Sequence, residues 1–123
     1  MYEYNAKCVR VVDGDTLDAE IDLGFDVKVK KRIRLAGINA PESRTRNKVE
    51  KKLGLAAKER LIEMMEGAAN EFELESKELG KYGRVIGKVH IDKISGKDQI
   101  TKVCVNDALV REGHASEYDG GKR

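Results

Sequence analysis

Asp13 and Asp15 flank Gly14 in VVDGDT, Arg34 and Glu42 bracket RLAGINAPE, and Lys81, Tyr82 and Arg84 crowd into KYGR. Aspartates at a strand end offer the oxygen ligands that a hard cation such as Ca²⁺ accepts, although Asp-Gly is also ordinary turn chemistry. Arginine stays protonated and can donate two parallel hydrogen bonds to one anionic group. A carboxylate such as Glu42, just past the chain's only proline, can orient a water and take its proton. Gly83 lets the chain bend sharply while Lys81, Tyr82 and Arg84 present donors to an anion. Read singly, each stretch is a turn or a solvated charge. Asn39 stands where a second carboxylate would look natural.

The elements that must hold these residues follow from periodicity. Ala6 to Val12 is apolar and β-branched, DGDT is a turn, and Leu17 to Leu23 alternates with period two, so a strand, a turn and a strand are expected. In VKVKKRIRLAGI, Val27, Val29, Ile33 and Leu35 share one parity and form the expected core face. Lys28, Arg32 and Arg34 then project from the opposite face. Pro41 has no N–H to give a ladder, which ends this strand near Ala40. A basic surface loop, ESRTRNKVEKK, follows. Gly54 then precedes one long helix, LAAKERLIEMMEGAA, closed by Gly67. Phe72 and Leu74 alternate with acids in a fourth strand, and Val85, Gly87, Val89 and Ile91 share a face of a fifth. An SGKDQ turn leads into Ile100 to Val105. The short helix NDALVREG ends on Gly113 as a C-terminal cap. The ordered chain is expected to run from about 5 to 117, with the end of HASEYDGGKR frayed.

At 123 residues the chain is sized for a single domain spanning 1–123. Charged residues are 37% and aromatics 5%, without Trp, so the core must rest on aliphatic side chains and Met, the Met64-Met65 pair included. A net charge of +2 is too small to name a nucleic-acid partner. The basic residues are clustered, however: Arg44, Arg46, Lys48, Lys51 and Lys52 follow Glu42 directly. Cys8 and Cys104 lie in no metal-ligand spacing and are expected as free thiols of a reduced compartment. MYEYNAKCVR lacks the apolar segment of a signal peptide, which makes the cytoplasm the expected location unless a longer precursor is secreted. No membrane association is expected. His90 and His114 have no partner at ligand spacing and read as structural. Strands, a helix, more strands and a small helix make an α+β, mainly β domain. The expected architecture is a five-stranded Greek-key barrel of the OB type with one long and one short helix packed on it.

Order and spacing along the whole chain join these pieces. DGDT, then RLAGINAPE, a basic loop and helix, KYGR and VNDALVREGHA resemble the staphylococcal nuclease, or thermonuclease, family over about Lys7 to Ala115. The resemblance implies an OB barrel and calcium-dependent hydrolysis of phosphodiester bonds in single- or double-stranded DNA and RNA. In that family water attacks and a 5′-hydroxyl leaves. By matching motif position it implies Asp15, Asn39 and the carbonyl of Ala40 as metal ligands. Glu42 is implied as general base touching the metal's water shell, Arg34 and Arg84 as the phosphate clamp, and Lys81 and Tyr82 as contacts to a neighbouring phosphate. Tyr118 is the one tyrosine near the end of the chain able to meet a base. A monomer is expected.

Two positions depart from the family. Asn39 replaces the Asp of its best-known members, which lowers the site's negative charge, and the chain stops where members continue into another helix. The alternative reading is a catalytically weak, nuclease-like module that binds nucleic acid or protein. Such modules commonly lack the arginines or the glutamate, whereas Arg34, Glu42 and Arg84 are all present here. A plain OB-type binder of single strands would need exposed aromatics for stacking, and two Phe and four Tyr make it a poor fit.

Overall fold

A computed structural model describes residues 2–79, 84–96 and 99–118. Lys81, Tyr82, Gly83 and part of the SGKDQ turn lie outside them. The elements are β1 (Tyr2–Asp13), β2 (Thr16–Asp22), β3 (Lys28–Leu35), β4 (Ile38–Asn39), α1 (Lys48–Gly67), β5 (Glu71–Leu79), β6 (Val85–Ser95), β7 (Gln99–Cys104), α2 (Val105–Arg111) and β8 (Ser116–Glu117). The large sheet has the order β3-β2-β1-β5-β6-β7. It closes into the expected five-stranded barrel because β3 also pairs in parallel with the start of β6, Ile33 opposite Val85 and Leu35 opposite Gly87. The rest of β6, from His90 on, pairs with β7 outside the closed ring.

Alternation explains the core. Leu17, Ala19 and Ile21 point inward from β2 and meet Ile33, Leu35, Leu74 and Val89 from the other staves. α1 adds Leu61 and Met65, and α2 adds Val105 and Leu109, all buried. The expected core face of this strand holds except at its start. Ile33 and Leu35 are buried and Val29 packs against the core, but Val27, just before β3, is 50% exposed, because β6 covers β3 only from Ile33 onward.

Two further expectations need correction, and the end of the described chain adds a contact. The third strand ends at Leu35, not near Ala40: Gly37 adopts a left-handed φ of +74°, and Ile38–Asn39 start a separate short strand paired with β8. α1 begins at Lys48 rather than after Gly54. The Asn47 side chain caps it by accepting from the N–H groups of Val49 (3.0 Å) and Glu50 (3.1 Å), which outweighs the lack of a strong apolar stripe in this first stretch. The tail is tied down as far as Tyr118, whose N–H donates to Gly37 O at 2.8 Å.

α1 is fastened to α2 by Arg60, which makes two hydrogen bonds to the Glu112 carboxylate at 2.6 and 3.0 Å. Those hydrogen bonds hold the Glu112 carboxyl below the usual carboxylate range. A folded pKa below the unfolded one adds stability that is present above the unfolded value and lost as pH falls through the folded one. Both side chains are about one-third exposed, so screening keeps the gain near 0.5 kcal/mol. Glu112→Gln is therefore expected to melt slightly lower than the parent at pH 7. The two melting curves should converge as acid carries the parent below the carboxylate range.

Candidate active site

The β1–β2 turn, the exit of β3 and the strand β4 meet at one end of the barrel. Gly14 lies against α1 so closely that a Cβ there would stand 2.6 Å from the Ala57 Cβ. That approach seats the turn and, with it, Asp15, which is only 7% exposed. The Asp15 carboxylate accepts the Ala40 N–H at 2.8 Å and the Thr16 hydroxyl at 2.9 Å. Its backbone carbonyl accepts from Leu35 N at 2.8 Å. A buried carboxylate without such partners would be costly, so these bonds fix its position.

Arg34 projects from the face of β3 opposite the core, as its parity predicts. Its Nη1 lies 2.8 Å from Asp15 Oδ2. The two form a part-buried ion pair. Nη2 donates to Ile38 O at 3.2 Å and, more weakly, to Asn39 Oδ1 at 3.4 Å. The Tyr118 ring has its centroid 6.0 Å from the guanidinium carbon, at the outer limit of a cation–π contact. Asp15, Arg34, Asn39, Ala40 and Tyr118 thus form one connected group.

The remaining predicted residues stand around it. Arg84 is exposed and immediately precedes β6. Ile86 is opposite Arg34, so strand parity assigns residue 84 to the face that carries Arg34, one strand over. Glu42 follows Ala40 by two residues and is exposed. Its N–H donates to Glu50 Oε2 at 3.3 Å, and its carbonyl abuts Gly54 of α1. Among the described residues no hydrogen bond or ion pair joins the Glu42 carboxylate to the Asp15–Arg34 pair. Lys81 and Tyr82 lie outside the described residues.

Several positioning residues escaped sequence reasoning. Asp13 accepts from the backbone N–H of Ser43 at 3.2 Å and from its hydroxyl, clamping the loop after Pro41 to the β1–β2 turn. Asn106, 1% exposed, accepts from Val89 N at 3.0 Å and donates to Ala36 O at 2.8 Å, so α2 holds the turn between β3 and β4. A lone asparagine among the apolar residues of VNDALV was the available signal. Gly54 looked like a helix boundary and is instead a point of close approach. His90 does have a partner, Glu75 Oε1 at 3.1 Å, reached across strands rather than along the sequence.

The candidate ligands are oxygens: the Asp15 carboxylate, the Asn39 amide oxygen, the Ala40 carbonyl and, two residues further along the chain, the Glu42 carboxylate. Such a set suits a hard divalent cation rather than a thiophilic one. No cluster of three or more His, Cys, Asp or Glu side chains able to hold a metal occurs among the described residues, so amide and carbonyl oxygens would have to complete the shell. Cys8 and Cys104 are free thiols, and burial pushes both above the ordinary thiol value, which disfavours the thiolate.

The profile of the staphylococcal nuclease homologue family matches residues 32–122. A protein of Shigella flexneri named Micrococcal nuclease is 31% identical over 118 residues, covering 94% of this chain and 59% of that protein. Protein ParB of Escherichia coli is 30% identical over 116 residues, covering 94% of this chain and 58% of that protein. The chain thus spans about three-fifths of the length of these curated relatives.

Proposed function

The chain belongs to the staphylococcal nuclease family, and from that premise we propose that it is a calcium-dependent phosphodiesterase that cleaves DNA and RNA without sequence preference. The observation that carries the proposal is the grouping of Asp15, Arg34, Asn39 and Ala40 at the barrel end, with Arg84 assigned by strand parity to the Arg34 face.

Attack of water on a phosphodiester places growing negative charge on the non-bridging oxygens. Two guanidinium groups directed at those oxygens stabilise the transition state more than the ground state. Arg34 and Arg84 are assigned this clamp. Glu42 takes the proton of the attacking water as the new phosphorus–oxygen bond forms. The bond to the 5′ oxygen breaks, and that oxygen leaves as a hydroxyl with a proton from solvent. Calcium held by Asp15, Asn39, Ala40 and, through water, Glu42 would supply further positive charge opposite the phosphate. Lys81 and Tyr82 are assigned to a neighbouring phosphate and Tyr118 to a base.

Purified protein incubated with single-stranded DNA or RNA tests this reading. Cleavage with Ca²⁺ that stops with chelator is expected; tight binding without cleavage under either condition would favour a binding module instead. Asn39 supplies a neutral oxygen where Asp would supply a charge, and calcium affinity is tuned by ligand charge. Asn39→Asp is accordingly expected to lower the half-saturating Ca²⁺ concentration by about tenfold, equivalent to roughly 1.4 kcal/mol of binding. An unchanged calcium titration would remove Asn39 from the metal's ligand set.

A further inference from the structure

We infer that the groove beside the Asp15–Arg34 group is a nucleobase subsite, receiving the base of a nucleotide that flanks the scissile phosphate in a single-stranded substrate. The inference rests on the hydrolase reading above and adds to it the part of the substrate held on this side of the reacting centre.

The groove has a volume of about 500 Å³ and runs between the start of α1 and the end of α2. That is room for a nucleoside. It is continuous with the active site through Asn39, which lines it and whose Oδ1 also faces Arg34. One wall is apolar: Val49 is 72% exposed and Leu53 55% exposed, and their four-residue spacing puts them on one stripe of α1 beside Pro41. Neither side chain packs into the core, so folding does not account for an aliphatic pair here. His114 also lines the groove, and no hydrogen bond or ion pair among the described residues holds its ring. Its backbone is fixed, since its N–H donates to Leu109 O at 2.9 Å behind the left-handed Gly113.

An imidazole and an aliphatic surface in one groove suit a flat heterocycle, because bases stack on His as on other aromatic rings. Asn47 adds an edge donor. Its Oδ1 is committed to capping α1, which leaves the amide N–H₂ for a base carbonyl. The surrounding charge selects the rest of the ligand. Arg44, Arg46, Lys48, Lys51 and Lys52 are all exposed on the loop and first turns of α1, the same segment that supplies Asn47, Val49, Leu53 and the acidic Glu50 to the groove lining. That basic segment suits a phosphate backbone, and it disfavours a basic peptide as the occupant. Entry of a base requires it to be unstacked, which favours single strands over duplex.

The test uses the full chain carrying Glu42→Gln and a short single-stranded DNA containing 2-aminopurine, with binding followed by fluorescence. Base stacking on an aromatic group predicts that His114→Ala and Leu53→Ser each raise Kd at least about fivefold. Phe25→Ala, which removes an exposed aromatic far along the chain from the groove, serves as a control and should leave Kd unchanged. An otherwise identical strand with an abasic nucleotide in place of the 2-aminopurine, its Kd read by competition against the fluorescent strand, should bind the parent more weakly and abolish the effect of both groove variants. Equal Kd values across the variants, or variant effects that persist on the abasic strand, overturn the subsite. Failure of the wild-type protein to cleave with Ca²⁺ would instead strike the hydrolase reading, with groove-dependent binding of the base still upholding the subsite.

Discussion

Replacing Glu42 by Gln is expected to lower kcat for calcium-dependent cleavage of single-stranded DNA by about 10²- to 10⁴-fold, the range contributed by a positioned general base. Gln keeps the size and the hydrogen-bonding capacity of the side chain but cannot accept the proton released by the attacking water. Glu42 is exposed, and the bond that ties its backbone to Glu50 uses the N–H, which the substitution retains. The melting temperature should therefore stay within about 2 °C of the parent, as expected for an exposed side chain. Arg34 and Arg84 remain, so substrate affinity should change far less than turnover. Loss of kcat at constant KM and constant stability is the signature of a group that acts in the transition state. A kcat within about threefold of the parent would remove Glu42 from the chemistry, that factor lying well below the general-base range.

The second large effect comes from a residue that touches no substrate. Gly54 lies inside α1, where helix propensity alone predicts that Ala would stabilise by about 0.5–1 kcal/mol. Packing predicts the opposite. A Cβ at this position would overlap the carbonyl group of Glu42 and stand 2.7 Å from Ser43 N, and both obstacles are backbone. Overpacking of this kind costs about 1–3 kcal/mol, occasionally more, and exceeds the propensity gain. Gly54→Ala should lower the melting temperature and also reduce kcat, because relief of the overlap moves the segment that carries Glu42. Gly67→Ala is the matched control: no atom lies within 4 Å of its added Cβ, so it should be neutral or slightly stabilising with normal activity. Equal behaviour of the two variants in thermal melts and cleavage assays would refute the packing account.

Much of the architecture was legible along the chain because it depends on neighbours in sequence. The alternation of Leu17, Ala19 and Ile21, the parity that turns Arg34 away from the core, and the Gly113 stop after α2 are local signals, and each is found in the fold. The order of DGDT, RLAGINAPE and KYGR identified the family before any packing was considered. Signals that depend on distant atoms were misread. Gly54 resembled a helix boundary because the obstacle that requires glycine, the Glu42 carbonyl, belongs to a separate loop. The pairing of Ser116 and Glu117 with β4, and the reach of Tyr118 to the carbonyl of Gly37, had no local signal in the tail. Val27 had the parity of a core residue, but whether a neighbouring strand covers it is a property of the closed barrel.

The amino-acid order alone determined the main strands, the barrel class and the family, since these follow from short-range periodicity and motif spacing. Folding in three dimensions established that Asp15 takes the Ala40 N–H and stands against Arg34, that Asn106 and Asp13 brace the loops around them, and that Val49, Leu53 and His114 line one open groove. Those relations join residues far apart in the chain. Their physical source is barrel closure and the seating of two helices on it, which no local pattern encodes.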